Sequence, residues 1–116
     1  MTTPGARWAA AGALLCASAV ALSAVASHAV QGVDAQRLAI VAAMLALHGL
    51  GWIALRGLGG RLAQGVRAAQ ALGLLLFAGS LVAAVLWDAS TRFAPLGGVT
   101  LSVAWMGCAV ALWRRG

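Results

Sequence analysis

Charge is confined to eight arginines and two aspartates among 116 residues, and their spacing constrains the fold more than any other feature. Arg7 and Asp34 bracket one charge-free stretch, Arg37 and Arg56 a second, Arg67 and Asp88 a third, Arg92 and Arg114 a fourth. An α-helix rises about 1.5 Å per residue, so about 20 apolar residues cross the roughly 30 Å hydrocarbon core of a bilayer. Each stretch is about that long. The spacing predicts spans over about 8–30, 38–55, 68–87 and 94–113, with short connections at 31–37, 56–67 and 88–93. Short links between consecutive helices favour antiparallel neighbours. The expected architecture is all-α: a single domain over 1–116, forming an integral membrane four-helix bundle that runs up-down-up-down.

Composition supports the same reading. Hydrophobic residues make up 63% and charged residues 9%, against roughly 45–50% and about 25% in soluble domains. A soluble bundle would need a charged face on each helix, and these stretches carry none. The net charge of +6 does not point to nucleic acid, because the arginines sit in short caps between apolar segments rather than on one face beside stacking aromatics. The richness in Ala and Gly suggests a GC-rich bacterial genome. Arg7, the apolar run and Ala24-Val25-Ala26 imitate a secretory signal peptide. The run exceeds the usual apolar region of about 7–15 residues, so it reads as a retained span.

Orientation follows from the arginines. The side holding both termini and the middle connection carries Arg7, Arg56, Arg61, Arg67, Arg114 and Arg115; the other carries Arg37 and Arg92 with Asp34 and Asp88. Basic residues concentrate on the cytoplasmic side of membrane proteins, which puts both termini in the cytoplasm and the protein in the bacterial inner membrane. Trp8, Trp52 and Trp113 fall at cytoplasmic span ends and Trp87 at an outer end, where indole meets headgroup and hydrocarbon. Trp105 lies near the middle of the fourth span and needs a partner for its N–H. Arg56, Arg61 and Arg67, around Gly57-Leu58-Gly59-Gly60, are expected to meet anionic lipid headgroups, worth about 1 kcal/mol per arginine.

Ionisable groups at membrane depth are functional candidates because burying them is costly. The sequence offers His28, near the outer end of the first span, and His48, about ten residues into the second. Counting inward from the outer face, they differ in depth by about nine residues, or about 13 Å. That offset is too large for one haem or zinc, and no carboxylate or cysteine lies at either depth to complete a site. No cofactor or metal is expected. Cys16 and Cys108 read as small buried hydrophobes. His48 falls at a depth similar to Ser80, so a hydrogen bond between them is expected to lock the second and third spans. His28 is expected to meet headgroups, water or Asp88. Small residues recur in every span, among them Gly12, Gly49, Gly73, Gly79, Gly97, Gly98 and Gly107, and favour close helix approach.

Phe77-Ala78-Gly79-Ser80-Leu81 resembles an F-x-G-S-L segment, and Pro95-Leu96-Gly97-Gly98 with Trp105 seven residues on resembles a P-x-G-G…G-W element. Ala26-Ser27-His28 is similar to the end of a G-A-F-G-A-H motif, and Leu47-His48 to a central histidine in a second helix. Together they resemble the small bacterial membrane proteins called domain of unknown function 423, related to the eukaryotic transmembrane protein 256 group. The chain departs from that pattern where Ser23-Ala24-Val25 and Met44-Leu45-Ala46 replace glycines and aromatics. The resemblance implies four transmembrane helices and no established activity.

No nucleophile–base–acid constellation and no paired carboxylates occur within the spans, so no enzymatic activity is expected. The chain reads as a small accessory or stabilising subunit of a larger membrane complex, or as a homo-oligomer, with other membrane proteins and lipids as partners. The alternative is a small transporter or channel using His48 and Ser80 along a polar path.

Overall fold

The computed structural model describes residues 2–115 and consists of four helices: α1 (Pro4–His28), α2 (Gly32–Ala54), α3 (Arg61–Trp87) and α4 (Ala94–Arg115). All four are long and apolar enough to cross a membrane. Three helices begin before the charge-free stretches do. Thr3 caps α1 through a hydrogen bond from the Ala6 amide to its hydroxyl (3.1 Å), and Pro4 opens the helix where its missing N–H costs nothing. In α2 the pair Asp34 and Arg37 sits on the first turns as an i,i+3 ion pair (3.3 Å), with the acid near the positive end of the helix dipole. The predicted connection at 31–37 therefore shrinks to Ala29–Gln31. Likewise 61–67, expected as loop, is the first part of α3, which follows Gly60 at a positive φ of 97°. A charge ends an apolar stretch but does not end a helix.

The helices alternate in direction and form two hairpins, α1/α2 and α3/α4, joined by packing of α2 on α3. The inner positions belong to α2 and α3, and the outer ones to α1 and α4. Each hairpin is pinched by a pair of glycines. A Cβ on Gly12 would lie 2.5 Å from the Gly49 carbonyl oxygen, and one on Gly49 2.5 Å from that of Gly12. In the second hairpin a Cβ on Gly97 would lie 2.7 Å from the Gly73 carbonyl oxygen and collide with the backbone of Phe77. Without a hydrophobic effect to drive association in lipid, such backbone contact supplies the packing. Of the other candidate glycines, Gly79 and Gly98 would meet nothing closer than 3.9 Å, so neither is a point of close backbone approach within the bundle.

The core between the hairpins is apolar at the level of Val41, Leu74, Ala78, Leu81 and Leu101. A second cluster of Leu58, Ala63, Val66, Cys108 and Ala111 closes the end that holds both termini and the Leu55–Gly60 connection, here called the terminal end. Hydroxyls on the helix surfaces bond within their own helices: Ser18 to the Leu14 carbonyl, Thr100 to Leu96 and Ser102 to Gly98. This removes their cost in hydrocarbon. The molecule is 45 Å long, comparable to a bilayer of about 40–45 Å including headgroups.

Candidate functional site

The register between α2 and α3 decides which polar groups can meet. Trp52 faces Gln70 and the Leu55 carbonyl faces Arg67, so paired residue numbers in these antiparallel helices sum to 122. His48 is then level with Leu74, and Ser80 with Ala42. The two candidates are six residues apart in depth, or about 9 Å. The predicted His48–Ser80 lock does not form. The Ser80 hydroxyl is buried with no hydrogen-bond partner.

His48 bonds to Trp105 instead. The imidazole is wholly buried (0% exposed); its Nε2 accepts the indole N–H of Trp105 at 3.1 Å, and its Nδ1 lies 2.7 Å from the Met44 carbonyl oxygen. Indole can only donate, so Nε2 must be the acceptor and the hydrogen sits on Nδ1, donating to Met44. That is a neutral imidazole with both nitrogens engaged. Helical side chains lean toward the helix N-terminus, which is how Trp105, whose backbone lies near the level of Arg67, reaches back to His48. Gly51 leaves the room: a Cβ there would sit 3.1 Å from the indole. The indole N–H that needed a partner has one, and the bond ties α4 to α2.

Below this pair lies a cluster that sequence reasoning missed. Gln64, Arg67 and Gln70 recur every three residues and so share one face of α3. Gln70 (3% exposed) accepts the N–H of Trp52 at 2.8 Å, and Gln64 accepts that of Trp8 at 3.1 Å. The two indoles pack edge to face with centroids 4.7 Å apart. Arg67 (4% exposed) donates through Nη2 to the Leu55 carbonyl at 2.7 Å. A cation there complements the negative end of α2. Its Nη1 is buried without a protein partner.

Two expectations are corrected by this geometry, those for Arg67 and Trp52. Arg67 is a buried clasp between α3 and α2 rather than a headgroup contact. Trp52 is buried inside the bundle, and Trp8 is partly buried against it. The exposed tryptophans are Trp87 (74% exposed) and Trp113 (86% exposed), at opposite ends. Of the other candidates, His28 is exposed at the end of α1. With Gly12 level with Gly49, it stands about 22 Å from the level of His48 along the helix axis. Pro95 is exposed in the first turn of α4, and Gly97 is the close-packed glycine of its motif. Arg56 and Arg61 are exposed at the terminal end.

These contacts tie α2 to α3 and α4, and α1 to α3. With both nitrogens of His48 bonded, it has no lone pair to give a metal without breaking a contact. Among the described residues no three His, Cys, Asp or Glu side chains cluster as metal ligands. Cys16 and Cys108 are unbridged, the first beside Gly49 and the second within the terminal apolar cluster. Compared with known proteins, the chain matches no family model, no curated protein and no solved structure.

Proposed function

We propose that this chain is a non-enzymatic integral membrane protein that works by packing, as an accessory or stabilising subunit of a larger membrane assembly or as a homo-oligomer. The observation that carries the reading is the outer face of α1. Ala10, Ala13, Ala17, Ala21 and Ala24 are all exposed and lie along one side of the helix. Lipid-facing helices have no need of small residues, whereas helix–helix contacts do. The large exposed side chains of α1, Leu14, Val20 and Val25, flank this stripe, whereas α4, the other outer helix, exposes Leu96, Val99, Val103, Met106 and Val110. The interior supports the same view, because its polar groups bond mainly to one another near one end, with an apolar level between them and the opposite end.

On this reading the terminal end faces the cytoplasm of a bacterium, since it holds six of the eight arginines. Membership of the domain of unknown function 423 family belongs to the same proposal and rests on the Phe77–Leu81 and Pro95–Trp105 segments. Purification in mild detergent at native expression level tests it. A stoichiometric membrane partner, or a homo-oligomer lost in an Ala17→Leu variant, is the expected outcome. A lone monomer would count heavily against it, and ion or solute flux from vesicles containing only this chain would favour the transporter reading.

A further inference from the structure

Arg37 and Arg92 balance Asp34 and Asp88 at the opposite end, so the whole formal charge of +6 resides at the terminal end. Two of the six arginines there bond to backbone carbonyls: Arg67 to Leu55 and Arg56 to Ile53. Arg7 bonds to the Thr2 hydroxyl. The remaining three, Arg61, Arg114 and Arg115, border one cleft of about 520 Å³ between the start of α3 and the end of α4. Neither acidic side chain of the sequence is near. The floor of the cleft is apolar, formed by Leu58, Leu62 and Ala111.

Depth identifies what such a cleft would meet. Arg61 lies 26 residues from Trp87 along α3, or about 39 Å, beyond the roughly 30 Å hydrocarbon core and within the headgroup layer. Cationic groups above an apolar floor at that depth match a phosphate ester joined to acyl chains. No side chain caps the first turn of α3, and Gly59 and Gly60 leave open space beside it. That leaves the positive end of the helix dipole facing the same cleft.

We infer that Arg61, Arg114 and Arg115 form a binding site for one anionic phospholipid, with its phosphate among the guanidinium groups and the glycerol ester end of its chains against Leu58, Leu62 and Ala111. The site deepens the expectation of headgroup contact and replaces Arg67 with the two arginines that end α4. It rests on the membrane-spanning reading, so insertion is checked separately.

The test reconstitutes the protein into bilayers of equal phosphatidylcholine and phosphatidylglycerol, confirms insertion by flotation, and counts retained lipids by native mass spectrometry. One phosphatidylglycerol should be retained in preference to phosphatidylcholine. Arg61→Gln should weaken retention by about fivefold, and the triple Arg61→Gln/Arg114→Gln/Arg115→Gln variant by about 100-fold, as about 1 kcal/mol per arginine implies. Arg7→Gln, at the same end but outside the cleft, should leave retention unchanged. Equal retention of the two lipids, or an Arg7→Gln loss matching that of Arg61→Gln, would overturn the site in favour of diffuse surface charge. Displacement of the lipid by millimolar inorganic phosphate would overturn the lipid as occupant. If the triple variant fails to float, the single Arg61→Gln variant decides. Failure of the unaltered protein to float would instead refute the membrane reading.

Discussion

At the scale of residues, the bundle is held by a few indole, amide and imidazole groups whose partners are specific. Trp105→Phe removes the donor to His48 and should cost about 0.6 kcal/mol, up to about 2, like other hydrogen bonds between membrane helices. A double-mutant cycle with His48→Leu, read by thermal unfolding in detergent, should recover that coupling. Ser80→Ala makes the opposite prediction. Its hydroxyl is buried and unpartnered, so removing it should leave the midpoint unchanged or raise it. A clear loss would revive the His48–Ser80 lock. Arg67→Ala should cost about 2 kcal/mol or more, because it leaves the Leu55 carbonyl without its donor and opens a void. Arg67→Met keeps most of the volume and removes the half-satisfied charge, so it should cost less in the same assay.

At the scale of elements, two glycine crossings set the hairpins. Gly49→Ala and Gly97→Ala place a methyl against backbone that cannot move without separating the helices, and each should destabilise by about 1–3 kcal/mol. Gly79→Ala and Gly98→Ala have room, and should be neutral or gain up to about 1 kcal/mol from the better helix former. Ranking these four variants by detergent unfolding separates glycines that pack helices from glycines that merely occur. The sequence could not make that distinction, because all four sit inside apolar stretches rich in small residues. It also hid the true helix starts, although Thr3-Pro4 is a legible cap and opening residue once the charges are not taken as helix ends.

For the whole molecule, the two hairpins lean on each other most closely through α2 and α3, leaving α1 and α4 outermost and unequal. The small-residue face of α1 is the side predicted to meet another protein. Ala17→Cys on that face should form a disulfide-linked dimer under mild oxidation if the partner is a second copy, whereas Val103→Cys on the bulky face of α4 should not. Equal cross-linking at both positions would indicate random collision. Both reporters should use a background lacking Cys16 and Cys108, with its fold checked first.

The sequence by itself determined the number of spans, their alternation and the side on which the arginines gather. These follow from the lengths of apolar runs and the positions of charges, which are properties of a single line of residues. The polar stripe Gln64, Arg67, Gln70 was legible as a three-residue spacing, but not its burial, since Arg67 in isolation marks the edge of an apolar stretch. Only the tertiary structure decided that His48 meets Trp105 rather than Ser80. That pairing depends on where α2 begins, on the register in which α3 lies beside it, and on the backward lean of an indole from α4. An offset of six residues, about 9 Å, separates two side chains that span counting had put at one depth.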